Sequence, residues 1–309
     1  MSYTRRHILA TAAGAALASA AESSAPVKPT LCLFSKHLPH LDYPELARTL
    51  EDLGIPGCDL TVRSGGHVLP ENAAKDLPRA HEALQEQGIT LPMITTGLTS
   101  LDDPAARPTL YTAGELGVTF FKLGYYRYRP VDELEKTLVE VRRDVDGLLG
   151  LAQHSKVQGG FHNHSGTYVG AAMWDVFEII RDIDPRWMGS YFDPCHATIE
   201  GGDAGWELGF QRLAPRIKMV AIKDFYWEKQ EGEWRVRMCP LGEGMVDFPK
   251  FFEMLAATGF SGPISLHVEY EIEASSEKEK QEKELAAIEK DFAYMKSQVE
   301  KAFGGVHSA

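Results

Sequence analysis

Val157-Gln158-Gly159-Gly160-Phe161-His162-Asn163-His164 is a short apolar run that ends in two imidazoles, and a stretch of helical periodicity at 131–154 leads into it. Helix followed by short strand is one unit of an α/β fold. Outward from it in both directions the unit recurs. Candidate strands fall at 31–35, 57–62, 90–96, 118–124, 157–163, 187–193, 217–223 and 263–269. Candidate helices fall at 43–53, 77–87, 104–116, 131–154, 171–183, 204–213, 248–258 and 276–302. Gly54, Gly88, Gly117 and Gly259 close helices just before the next strand, where a helix stop calls for positive φ. Eight such units predict a (β/α)8 TIM barrel rather than an open doubly wound sheet, and no glycine-rich phosphate loop follows the first strand.

Composition narrows the partners. A chain of 309 residues that is 44% hydrophobic can bury one large core, so residues 26–309 are read as a single domain. The net charge of −12 repels nucleic acid and anionic membrane surfaces. Residues 1–25 read as an export leader and short linker. Arg5-Arg6 precede a mildly apolar Ala/Gly-rich run that ends in Ala18-Ser19-Ala20, the order of a twin-arginine signal, and the expected location is the periplasm. Cleavage there removes two arginines and no acid, so the mature chain is more acidic still. No later apolar run is long enough to cross a bilayer, so no membrane partner is expected after cleavage. Cys32, Cys58, Cys195 and Cys239 form no CxxC pair and are expected to be free, buried thiols.

Strand carboxyl ends converge on one rim of a parallel barrel, and here they carry reactive side chains. His162 and His164 are two apart on a strand and can both face the mouth, where neutral imidazoles suit a divalent ion. A pair of hydrogen-bonded structural histidines is the plainer alternative. Asp193 ends the sixth strand and is the better ligand candidate, although Asp before Pro also caps turns. His196, three residues on, reads as a donor to a substrate oxygen or a support for the ligands. Glu269 ends the eighth strand after a buried run and can act as a ligand or take a proton from carbon beside a carbonyl. Lys223 can polarise a carbonyl, balance an enediolate, or pair with Asp224. Lys36, His37, Arg63, His67, Lys122 and His267 are further candidates for binding an oxygen-rich or anionic small ligand, each with a surface or structural alternative.

Two segments exceed what barrel turns require: residues 63–71 and residues 224–244, the latter with Tyr226, Trp227 and Trp234. Sugar stacking and simple self-packing are equally consistent with those aromatics.

These pieces in this order resemble the xylose-isomerase-like TIM barrels, the sugar phosphate isomerase/epimerase group. The resemblance rests on Leu33 to Leu38, Gly57 to Arg63, Phe161 to His164, Phe192 to His196, Ile222 to Asp224, Gly242 to Gly244 and His267 to Glu269, and it runs from about Leu31 to the last helix. It implies one divalent metal ion (Mn, Co, Mg or Zn) held by Glu, Asp, His and Glu from strands five to eight. The matching positions here are His162, Asp193, Ala221 and Glu269, so two of the four depart from that pattern. Alanine cannot ligate, and His164 or His267 would have to supply the missing bond.

The expected function is therefore a divalent-metal-dependent sugar isomerase or epimerase that abstracts a proton beside a carbonyl and passes through an enediolate. The expected roles are Glu269 as base, His162, His164, Asp193 and Glu269 as metal ligands, and Lys223 and His196 on substrate oxygens. A lyase or dehydratase using the same site, inosose-dehydratase-like or acting on 3-keto-glycosides, is the near alternative. A metal-free carbohydrate-binding protein is the alternative from another class. The expected partner is a small carbohydrate or keto-sugar, with a homo-oligomer also considered.

Overall fold

The computed structural model describes residues 28–129 and 133–304. The leader assignment and the first two residues of the predicted 131–154 helix lie outside the described residues. Eight parallel strands form a closed barrel: β1 (Leu31–Phe34), β2 (Gly57–Val62), β3 (Thr90–Thr96), β4 (Phe120–Lys122), β5 (Gln158–His162), β6 (Met188–Phe192), β7 (Ile217–Ile222) and β10 (Ile264–Leu266). Each pairs with the next, and β10 pairs with both β7 and β1 to close the ring. Helices α1 (Tyr43–Asp52), α2 (Ala73–Glu86), α3 (Ala106–Glu115), α4 (Leu134–Ser155), α5 (Met173–Ile180), α6 (Pro194–Leu213), α7 (Phe248–Ala257) and α8 (Glu277–Gly304) surround it. The main core lies between the strands' outer faces and these helices. All four cysteines are free and buried.

Local chemistry sets the element ends. Asp42 and Glu45 form a reciprocal capping box on α1, with Pro44 in its first turn, an arrangement worth about 1 kcal/mol. Gly54, Gly88, Gly117 and Gly259 all take positive φ, as their places after helices require. Gly160 leaves room inside the barrel and Gly159 on its outer face: a Cβ on Gly160 would stand 2.1 Å from the Met219 methyl carbon, and one on Gly159 2.6 Å from the Met188 sulfur.

Three expectations are corrected. The predicted strands ran to residues 124, 163, 193, 223 and 269, but the ladders stop short at the rim because the chain there bonds to side chains. Asn163 clasps both backbone groups of Asp193 (2.8 and 2.9 Å), and the Val268 amide donates to His37 Nε2 (3.0 Å). The helix predicted at 204–213 begins instead at Pro194, because Asp193 caps it by accepting from the His196 amide; it bends at Gly202 (φ 59°). Residues read as a long loop form the antiparallel hairpin β8 (Asp224–Gln230) and β9 (Glu233–Cys239). Glu231 and Gly232 turn it with positive φ at both positions, the geometry that two-residue hairpins favour.

Inside the barrel, Met93, Tyr191, Met219 and Ala221 form a small inner cluster. Beside it the buried Asp59 accepts from Thr95 Oγ1 (2.7 Å), Ser265 Oγ (2.8 Å) and the Tyr191 hydroxyl (3.3 Å). Burial pushes its pKa up to about 6 although those bonds and Arg63 pull it down. The folded protein thus keeps this proton up to about pH 6, whereas the unfolded chain loses it near 3.8, so stability falls as pH rises between those values. Asp59→Asn, which stays neutral, is expected to stabilise the fold by about 1–3 kcal/mol at pH 8 and by nothing measurable below about pH 4. Urea unfolding of both proteins at the two pH values checks this; an equal effect at both contradicts it.

Candidate active site

At the carboxyl ends of the strands a cavity of about 170 Å³ opens into the barrel mouth. Its charged lining is Lys36, Arg63, Lys122, Lys223 and a single carboxylate, Glu269. His162, His164 and His267 complete the polar wall, with Tyr125 and Tyr191 beside them. A chain of net charge −12 thus presents a cationic hollow.

Lys223 is the hub. It is fully buried, one residue past the end of β7, and its Nζ lies 3.1 Å from Asp193 Oδ2 and 3.2 Å from Glu269 Oε2. Lys36 Nζ donates to the other Glu269 oxygen at 2.9 Å. Burial opposes the charge on Lys223, but Asp193 and Glu269 outweigh it and raise its pKa, so the ammonium persists. In the same way burial would raise the two carboxyls, yet Lys223 above all holds both below the ordinary carboxylate range. Asp224 does not pair with Lys223. Its carboxylate accepts the amides of Phe225, Gly242, Gly244 and Val246 at 2.8 to 3.2 Å, which pins the loop after the hairpin and leaves no room for a Cβ on Gly244.

The imidazoles are neutral. Burial, then the charge of Lys223, pushes His162, His196 and His267 well below 6.5. His162 Nε2 lies 3.2 Å from Asp193 Oδ2 and its Nδ1 3.0 Å from the Tyr125 hydroxyl. With Asp193 ionised, Nε2 carries the proton and the Tyr125 hydroxyl donates to Nδ1. His196 places Nδ1 2.9 Å from Ser165 Oγ, while its Nε2 is buried without a partner 3.8 Å from Asp193 Oδ2. His267 Nε2 meets the Tyr191 hydroxyl at 3.2 Å. Lys122 has its Nζ 3.3 Å from the Tyr125 ring centroid; burial lowers its pKa well below that of an ordinary lysine, and Arg63 adds to the effect.

The structure gathers Lys36, Arg63, Lys122, His162, His164, Lys223, His267 and Glu269 around one cavity. Asp193 and His196 lie in its wall, joined through Lys223 and His164. His37 and His67 lie outside the lining, their ring nitrogens engaged by the Val268 amide and by the Leu38 carbonyl and Thr61 hydroxyl. Tyr226, Trp227 and Trp234 also lie outside it, exposed on the hairpin. Sequence reasoning passed over Tyr125, Tyr191, Asp59 and Ser165. Asp59 had a readable signal, since it shares strand facing with Thr61 and Arg63; Tyr125 sits in a loop, where facing is not readable.

The family model for xylose isomerase-like TIM barrels matches residues 47–297. The chain belongs to that family. No curated protein matches it in sequence. Among solved structures, an L-ribulose 3-epimerase superposes with TM-score 0.67 at 16% identity, covering 91% of this chain and 98% of the other. A xylose isomerase-like TIM barrel protein from Mycobacterium smegmatis, in complex with magnesium, gives 0.65 at 14% identity over 89% and 98%. A probable 3-DHS dehydratase from Bacillus anthracis gives 0.62 at 14% over 84% and 98%.

Membership of the xylose isomerase-like family raises the question of a metal ion. Among the described residues, one group of three metal-capable side chains converges: His162, Asp193 and His196, with ligand atoms within 4.8 Å of one another. The expected set was His162, His164, Asp193 and Glu269, and the structure does not bring it together. Glu269 is tied to two lysines, His164 Nδ1 faces the Ser165 carbonyl at 2.9 Å, and β7 offers only Ala221, packed in the inner cluster. These residues do not fit an ion shared by Asp193 and Glu269, because Lys223 Nζ stands between them.

Removing the hub leaves Asp193 buried without its ammonium partner and Glu269 with Lys36 alone. Lys223→Met is expected to cost about 3–5 kcal/mol at pH 7, as breaking a buried pair does. The loss should shrink toward about pH 4, where Asp193 can take a proton, and Glu269→Gln added to Lys223→Met should recover part of it. Urea unfolding of the single and double variants reads both effects; a Lys223→Met loss independent of pH contradicts the pairing.

Proposed function

We propose that the protein is a carbohydrate isomerase or epimerase working by proton transfer beside a carbonyl. The observation that carries this is the cavity in which one ionised carboxylate, Glu269, faces Lys36, Arg63, Lys223 and the buried Lys122 beside neutral imidazoles. Glu269 takes the proton from the carbon next to the carbonyl. The C–H electron pair forms the C=C bond while the carbonyl π pair moves onto oxygen, where Lys223 and Lys122 offset the developing negative charge. Isomerisation is completed when the proton returns to the former carbonyl carbon and the hydroxyl proton shifts between the two oxygens, a transfer open to His164, which lines the cavity with its Nδ1 turned to the Ser165 carbonyl. One base on one face suffices for that. Epimerisation needs a second proton donor on the opposite face, and among the described residues Glu269 is the only carboxylate in the lining. The epimerase and dehydratase among its structural neighbours support this range of chemistry at the level of the fold.

Elimination is the second reading, and a specific feature favours it. A wider groove of about 990 Å³, lined by Val268, Tyr270 and the start of α8, begins at Lys36, which also lines the inner cavity. A glycoside could seat its oxidised ring inside and its leaving group in the groove, and the enediolate would then expel the group rather than reprotonate. In a metal-dependent form of either reaction, His162, Asp193 and His196, the last with an unpartnered Nε2, would be the residues to hold the ion. The leader reading of residues 1–25 places the chemistry in the periplasm; amino-terminal sequencing of the exported protein tests that.

Incubating ketoses, 3-keto-glycosides and inososes with the protein in D2O should produce solvent exchange at the carbon beside the carbonyl, seen by proton NMR. Glu269→Gln should lower that exchange by at least about 10³-fold with the fold intact. Exchange absent from every substrate leaves a binding protein, and a fully active Glu269→Gln removes Glu269 as base. With the imidazoles neutral and Glu269 ionised, the exchange rate should stay flat from about pH 6 to pH 8. An inflection near 6.5 contradicts the neutral imidazoles.

A further inference from the structure

We propose that the Lys223 ammonium is the resident cation of this site, standing between Asp193 and Glu269 in the position a bridging divalent ion would need, so that the protein works without a metal there. Its Nζ reaches Asp193 Oδ2 at 3.1 Å and Glu269 Oε2 at 3.2 Å. An ion bound to those same oxygens at about 2.0–2.2 Å would overlap the ammonium.

Charge closes in the same sense. Two carboxylates, Asp193 and Glu269, are paired with two ammonium groups, Lys223 and Lys36. Arg63 lines the same cavity, so a dication would add positive charge where the carboxylates already have their partners. Two of the donors an ion there would recruit are also engaged: His162 Nε2 is held by Asp193 and His267 Nε2 by Tyr191, while the β7 position that faces the mouth is Ala221, packed in the inner cluster.

Lys223 cannot readily swing aside to admit an ion. Its side chain is 3% exposed, and the next residue, Asp224, is fixed by the four amides that its carboxylate accepts. Asp224 is thus a positioning residue for Lys223. For the reaction, the consequence is an oxyanion met by directional N–H donors carrying one charge, and an activity indifferent to chelators. That consequence rests on the proton-transfer reading; the occupancy of the site does not.

The test is metal content and thermal shift on the full-length purified protein. Elemental analysis should find less than about 0.1 divalent ion per chain, and 1 mM MnCl2 or MgCl2 should move the Tm by less than about 1 °C. Lys223→Ala, which vacates the gap between the carboxylates, should gain a Mn²⁺-dependent rise of about 5 °C or more. Stoichiometric metal in the unmodified protein, including an ion on His162, Asp193 and His196, overturns the proposal, as does a Mn²⁺ shift in the unmodified protein. A folded Lys223→Ala with no gain in metal response also overturns it. If that variant does not fold, the measurements on the unmodified protein decide alone. These readings are independent of catalysis, so failure of deuterium exchange would remove the proposed reaction while leaving this inference standing, and the reverse holds equally.

Discussion

Two carboxylates in the dry mouth of a barrel need positive charge, and here the charge comes from a side chain. Lys223 joins Asp193 to Glu269 across the ends of β6, β7 and β10, and the neighbouring features follow from it. Its field adds to burial in keeping the imidazoles neutral and holds both carboxyls ionised. Asp193, steadied by Asn163, spends one oxygen capping α6 and the other on Lys223 and His162. One aspartate thereby couples the start of a helix to the electrostatics of the site.

The departures from the family pattern read as one change rather than two. The positions matching a strand-five glutamate and a strand-seven histidine hold His162 and Ala221. Three carboxylates around a dication carry the same net charge as two carboxylates around one ammonium. Losing a carboxylate on β5 while the Lys223 ammonium stands in for a dication therefore preserves the balance of the rim. Ala221 then has no ion to serve and packs against Tyr191 and Met219, while the Tyr191 hydroxyl ties His267 to Asp59.

The barrel was legible because it is written in periodicity: eight apolar runs separated by helical segments, punctuated at Gly54, Gly88, Gly117 and Gly259. The strand ends were not, because the chain leaves the ladder where side chains such as Asn163 and His37 take over backbone partners, a tertiary choice that no local pattern encodes. The hairpin after β7 escaped reading because its turn uses Glu231 at positive φ, where glycine or asparagine is the usual signal. At the site, strand facing turned His162, His164, Lys223, Glu269 and His267 toward the mouth, and the structure lines one cavity with them. It could not tell that Lys223 would fill the gap between Asp193 and Glu269 rather than pair with adjacent Asp224. That depends on the amides of adjacent Phe225 and of Gly242, Gly244 and Val246 in the loop after the hairpin claiming Asp224 first.

The account turns on which cation lies between Asp193 and Glu269. Anomalous diffraction at the manganese edge, from crystals grown in excess MnCl2, sees that position directly. The account predicts no anomalous peak there, with Lys223 Nζ hydrogen-bonded to both carboxylates. A manganese peak on the Asp193 and Glu269 oxygens, with the lysine turned away, would contradict it.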